Sequence, residues 1–251
     1  MKNSKIFEHK RKLMLFVSKT NAYIKPVDKI ISSCNLEVCV IDIDDFCNEI
    51  IDVCFSENDV IYFTCCNSLL VHQTIKKISK CKIINKEFLI KKDILNKKNL
   101  QCYLQKVGIL VPKIYDCIEH VKFPIFCKEK VHQGMTVAFY NMKSLQLFFE
   151  KFNVDNFYFE EALISDNVPI TDFKIYYVNG KIYSRQKQLK NSLELKCICS
   201  EIAHLLDDLE IFSVDFIKAN NEYKVIDINV CTSMFLCDEG RKEFIRYLNS
   251  I

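Results

Sequence analysis

The sharpest chemistry in this 251-residue sequence lies at residues 212–229, which read Phe-Ser-Val-Asp-Phe-Ile-Lys-Ala-Asn-Asn-Glu-Tyr-Lys-Val-Ile-Asp-Ile-Asn. Asp227 and Asn229 are two apart on a predicted strand, so they project from one face. Asp215 lies on the strand before it. A loop of Asn220, Asn221 and Glu222 sets Asp215 opposite Asp227 and Ser213 opposite Asn229. The same register gathers Phe212, Val214 and Phe216 with Ile226, Ile228 and Val230 on the other face. That segregation supports the register, because a one-residue slip would turn the carboxylates into the core. Two carboxylates and an amide oxygen suit Mg²⁺, a hard cation that prefers oxygen and shares its shell with phosphates.

Lysines form the complementary half. Lys97 falls on a predicted helix, Lys128 ends the strand Pro-Ile-Phe-Cys-Lys, and Lys174 lies on the strand Asp-Phe-Lys-Ile-Tyr-Tyr-Val. A lysine projecting from a strand interior needs a partner more than a surface helix lysine does. Set beside the acidic triad, the three supply the counter-charge that a triphosphate requires.

The elements that must position these groups fall into three parts: residues 1–84, 85–157 and 158–251. In the first, short apolar strands at 13–17, 36–43, 60–64 and 82–84 alternate with amphipathic stretches at 24–33 and 68–79. Such alternation predicts a small parallel α/β sheet. The second part opens with a lysine-rich helical stretch that stops at Gly108. Strands near 124–130 and 136–140 and a helix over 142–152 follow. The third part is antiparallel by its turns: Asn179-Gly180 joins strands at 173–178 and 181–186, and the acidic hairpin follows a helix over 195–206. A last helix covers 239–249. The fold class is therefore α/β, becoming α+β in the C-terminal half.

Composition excludes several alternatives. The only glycines are Gly108, Gly134, Gly180 and Gly240, so no dinucleotide, P-loop or protein-kinase glycine loop exists. The 14 cysteines contain no CxxC pair, which argues against zinc and for reduced, buried thiols in a cytoplasmic protein. A net charge of +3 without interleaved basic and aromatic residues gives no reason to expect nucleic acid. The first residues carry too short an apolar run for a secretory signal, and no segment approaches the length of a membrane span.

The order of these residues resembles the ATP-grasp superfamily from about Lys82 onward. Lys97 precedes Gly108-Ile109-Leu110-Val111-Pro112, Lys128 follows Phe123-Pro124, and Glu160-Glu161-Ala162-Leu163 looks like that family's hinge strand. Asp172 and Lys174 precede a hairpin, and Asp215, Asp227 and Asn229 stand where the family holds metal. Within the superfamily the chain is most similar to inositol 1,3,4-trisphosphate 5/6-kinase. That similarity rests on His132-Gln133-Gly134-Met135, Leu189-Lys190-Asn191, Val225 to Asn229, Glu239 to Phe244, and Val17-Ser18-Lys19. The chain departs from it in a shortened loop between Lys128 and His132, an inserted residue after Arg185, and Thr232-Ser233 in place of proline and glycine.

The resemblance implies an N-terminal α/β substrate domain, a central lid and a C-terminal catalytic domain, with ATP sandwiched between the last two. It implies that Lys97 and Lys128 hold phosphate oxygens and that the backbone from Glu160 and Glu161 through Ala162 to Leu163 reads adenine. Asp215, Asp227 and Asn229 would hold two Mg²⁺ ions. Lys19, His132, Lys174, Arg185 and Lys190 would bind an inositol polyphosphate, with Asn229 also bordering the reacting atoms. The expected protein is a monomeric ATP-dependent inositol phosphate kinase that binds neither membrane nor nucleic acid. Two rivals use the same scaffold: a carboxylate–amine ligase, and a nucleotide-binding remnant without catalysis.

Overall fold

The computed structural model describes residues 11–18, 30–64, 68–78, 80–91, 96–131, 134–165, 168–169, 172–232 and 237–251. The expectations for Lys19, His132 and most of the helix at 24–33 lie outside the described residues.

The first sheet is wholly parallel. Its strands are β1 (Lys12–Val17), β2 (Glu37–Asp42), β3 (Val60–Phe63) and β4 (Lys82–Ile83), in the order β2-β1-β3-β4. Leu13 to Phe16 and Val60 to Phe63 are buried throughout, as befits central strands of a sheet covered on both faces. A short helix α1 (Ile43–Cys47) begins where the sequence reading extends a strand, because the Asp42 carboxylate caps it by accepting from the N–H groups of Asp44 and Asp45. Helix α2 (Ser68–Lys77) crosses from β3 toward β4. The lysine-rich stretch divides into α3 (Lys86–Leu89) and α4 (Lys97–Lys106).

The second sheet runs β5-β8-β6-β7, from β5 (Ile114–Tyr115), β6 (Ile125–Glu129), β7 (Thr136–Phe139) and β8 (Phe157–Glu161), all antiparallel. β8 follows helix α5 (Met142–Phe149) and inserts between β5 and β6. It thus belongs to this sheet, whereas the boundary read from the sequence assigns residues from 158 onward to the third part. A two-stranded ribbon, β9 (Ile164–Ser165) with β10 (Val168–Pro169), leads onward.

The third sheet runs β12-β11-β13-β14, from β11 (Phe173–Val178), β12 (Lys181–Tyr183), β13 (Ile211–Ala219) and β14 (Glu222–Asn229). Helices α6 (Leu193–Leu205) and α7 (Asp238–Ser250) pack against it. Asn179 and Gly180 both adopt positive φ at the β11–β12 turn, the conformation that two-residue hairpins require.

One continuous core joins the first and third sheets, running from Phe16 and Ile61 through Leu100 and Leu104 of α4 to Phe212 and Ile228. The second sheet has its own core of Tyr115, Ile125, Cys127, Phe139, Leu145, Phe157 and Phe159. Asn85 fastens the first junction: its amide donates to the carbonyls of Ile211 and Val230 and accepts from the N–H groups of Glu210 and Ile211. Separate cores leave the facing surfaces of the second and third sheets as the walls of a cleft. The described cysteines are free, and burial pushes the Cys127 thiol up to about 12.

Candidate active site

The acidic hairpin forms one wall. Asp215 pairs with Asp227 and Ser213 with Asn229, as the sequence predicts, but the route to that register differs. The turn contains two residues, Asn220 and Asn221, both at positive φ. Ala219 then pairs with Glu222 and Phe216 with Val225, and a bulge between Asp215 and Phe216 leaves Ile226 as the extra residue on β14. The bulge corrects the expected side of Ile226. It leaves the apolar face and lines the cleft, and its carbonyl accepts from Lys128 Nζ at 3.2 Å.

Across the sheet, Lys174 pairs with Asp215, which pairs with Asp227, so three charged side chains stand in one row on adjacent strands. Lys174 Nζ lies 2.9 Å from Asp215 Oδ2. Burial raises the Asp215 carboxyl above its ordinary range, Lys174 opposes that, and the like charges of Asp227 and Asp172 push it further up. Lys97, at the start of α4, reaches Asp227 Oδ2 at 3.1 Å, and Asn229 donates its amide to the same oxygen at 3.3 Å. The Lys97 backbone N–H donates to the Lys130 carbonyl, so α4 touches both walls.

The opposite wall is built by strand alternation. Ile125 and Cys127 of β6 and Phe157 and Phe159 of β8 face the core of their own sheet. Phe126, Lys128, Tyr158 and Glu160 are left for the other face. Phe126 sits opposite Glu160 and Lys128 opposite Tyr158. Lys128 Nζ lies 2.7 Å from Glu160 Oε1, with the glutamate side chain only 1% exposed. Burial raises the Glu160 carboxyl, and Lys128 pulls it back. Glu160 Oε2 is buried with no hydrogen-bond partner in the protein, a costly state for a carboxylate oxygen.

Between the walls lies a cavity of about 430 Å³ lined by Lys97, Lys128, Glu160, Asp215, Asp227 and Ile226, with Pro112, Phe126, Thr136, Glu161, Leu163, Asp172 and Ile217 completing it. The backbone N–H groups of Glu161 and Ala162, in the stretch expected to read adenine, donate to Lys113 O and Pro124 O, so both serve the protein itself. Of the expected substrate cations, Lys174 joins this constellation through Asp215. Lys190 does not: it pairs with Glu239 in a separate depression of about 350 Å³ beside Lys181 and Tyr183. Arg185 is exposed just beyond β12. The Glu160 side chain is the residue that sequence reasoning used only for its backbone. Period-two alternation along Phe157 to Glu161 holds the missing signal.

The cleft carries five carboxylates against two lysines, so an anion meets net negative charge unless a cation accompanies it. Among the described residues, no three His, Cys, Asp or Glu side chains converge as a closed metal cage. Two carboxylates with room for other oxygens suit Mg²⁺, which keeps waters and takes phosphate oxygens.

No family model and no curated protein matches the sequence. Solved structures do. D-cycloserine synthetase DcsG superposes with a TM-score of 0.69 at 11% identity, covering 95% of this chain and 98% of that one. The ATP-grasp ligase PsnB, complexed with a phosphomimetic precursor variant, Mg and ADP, gives 0.67 at 14% identity over 98% and 99%. A RimK domain ATP-grasp protein from Sphaerobacter thermophilus gives 0.65 at 10% identity over 95% and 98%. The chain has the ATP-grasp fold. The cleft lies between the second and third sheets of that fold, and β8 ends at its edge.

Proposed function

We propose that this ATP-grasp protein is an ATP- and Mg²⁺-dependent enzyme that phosphorylates a carboxylate, activating it for attack by an amine or hydroxyl. The observation that carries ATP use is the pair of lysine–carboxylate contacts facing each other across the cavity, Lys128–Glu160 and Lys97–Asp227. Glu160 lines the cavity beside a lysine donor, and its carboxylate would match the 6-amino and N7 edge of adenine on a rotation that brings out Oε2, which is buried in the unliganded protein. Phe126, Leu163 and Ile226 offer apolar surface to the ring. Lys97 would release Asp227 and turn to phosphate oxygens, while Asp215 and Asp227 would hold the metal, with the Asn229 carbonyl oxygen as a further donor. Mg²⁺ supplies charge neutralisation across the transferring phosphate. Lys174, beside Asp215, would orient the acceptor oxygen.

A carboxylate acceptor is favoured over a polyphosphate by charge supply. Lys97, Lys128, Lys174 and Lys190 are each already ion-paired, and a ring bearing several phosphates needs several further cations. The ligases that share the fold point the same way. A second reading, phosphoryl transfer to an inositol polyphosphate hydroxyl, is supported by the sequence similarity around Leu189-Lys190-Asn191 and Val225 to Asn229.

ADP release measured side by side against amino acids, peptides and inositol phosphates separates the two. Hydroxylamine should trap an activated carboxylate as a hydroxamate. Turnover with inositol phosphates and no hydroxamate with any carboxylate would overturn the ligase reading in favour of the second.

A further inference from the structure

Beside the end of β8 lies a larger cavity of about 790 Å³, adjacent to the catalytic one, with Glu161 and Leu163 lining both. Lys113, Lys122 and Lys218 open onto it from three segments: the stretch before β5, the stretch before β6, and the end of β13. All three are exposed, and among the described residues none makes an ion pair. Lys113 Nζ instead stands 5.2 Å from the Tyr115 ring centroid, and Lys218 Nζ 5.0 Å from that of Tyr223. Those ring contacts are weak at exposed sites and leave the charge of Lys113 and Lys218 without a counter-ion. The contrast with the catalytic cavity is direct, since Lys97 and Lys128 are both tied to carboxylates there. The one acidic group on the wall is Glu161, whose Oε2 faces the Lys113 backbone N–H at 3.5 Å.

We propose that this cavity is a second anion site that takes a small molecule bearing two or more phosphate groups. Its volume falls in the range of small-molecule pockets, and like charges lining one cavity repel unless an anion joins them. Glu161, Ala162 and Leu163 form one wall of it, tied to the rest of the lining where the Glu161 N–H donates to Lys113 O and the Ala162 N–H to Pro124 O. An occupant therefore lies beside the same backbone that borders the catalytic cavity, without sharing its lysines. The proposal does not depend on which acceptor the enzyme phosphorylates.

The test uses inositol hexakisphosphate as a rigid polyphosphate probe and reads amine acetylation by mass spectrometry, with and without Mg²⁺ and ATP. Lys113, Lys122 and Lys218 should be protected, and the exposed Lys76 and Lys80 should not. K113A/K122A/K218A should weaken probe binding about tenfold or more, as loss of charge-assisted contacts dictates, and should keep its ATP-induced thermal shift. Protection spread evenly over exposed lysines, or tighter binding of a poly-glutamate peptide, would overturn the proposal. A wrong nucleotide reading would show separately, as absence of any ATP-induced shift.

Discussion

Asp215 and Asp227 face each other across β13 and β14 because one residue between them and the turn, Ile226, is bulged out of the ladder. The bulge turns Ile226 into the cleft while the two carboxylates stay in register, so one local irregularity builds both the acidic row and part of an apolar wall.

Asp227→Asn keeps the shape of the side chain and removes its charge. Turnover should fall by on the order of 100-fold or more, the scale of losing one fixed electrostatic contact to a transferring group. Circular dichroism should be unchanged. Retention of full ADP release by the variant would remove Asp227 from the chemistry.

The buried Lys128–Glu160 pair predicts strong asymmetry in stability. Lys128→Met strands a carboxylate that is almost wholly enclosed and should cost about 3–5 kcal/mol in urea unfolding. The double variant K128M/E160L should recover most of that loss, because a matched apolar pair replaces a matched charged one. Equal destabilisation in both variants would show that the pair contributes through packing alone.

Glu160 also gives the unliganded protein a pH dependence. Its folded carboxyl is raised above the ordinary value of 4.5, so the folded state binds the proton more tightly than the unfolded chain does. The stabilising contribution is then present below about pH 4.5 and is lost as pH rises from there through the raised value. The wild-type thermal midpoint, measured against pH without nucleotide, should carry this downward component, and Glu160→Gln should lack it. Identical pH profiles would contradict the raised carboxyl.

Five carboxylates against two lysines predict that nucleotide binding depends on metal. ATP with Mg²⁺ should raise the thermal midpoint by mass action on the folded state, and ATP with EDTA should do so far less. An equal shift in EDTA would mean that the carboxylates do not oppose the phosphates.

A carboxylate acceptor at the base edge favours a 6-amino group over a 6-oxo group. GTP should therefore bind more weakly than ATP by about 1–3 kcal/mol, the cost of a buried polar mismatch, and Glu160→Gln should narrow the gap. Competition between the two nucleotides in the wild type and the variant measures it.

Much of this site was legible in the sequence because it depends on local periodicity. Asp227 and Asn229 share a face through their spacing alone, and Asn179-Gly180 announces its own turn. The pairing of Asp215 with Asp227 also emerged, although through a three-residue loop instead of a two-residue turn with a bulge. What stayed hidden depends on chain segments far apart. Lys128 meets Glu160 only because β8 inserts beside β6, and Lys190 is drawn to Glu239 by the seating of α7 near β12. Spacing within one strand carries no record of such neighbours.

The extra residue in β14 also means that two different turn lengths lead to the same acidic pairing. A turn longer by one residue, with Glu222 added to Asn220 and Asn221, would align Asp215 with Asp227 without any bulge, the arrangement that simple counting suggests. The two solutions differ only in where the surplus residue is stored, at the tip or beside the acids. Storing it beside the acids gives the strand a residue that neither the core nor the turn requires. A change of side chain at that position, Ile226, alters the cavity wall without requiring the paired carboxylates to shift register.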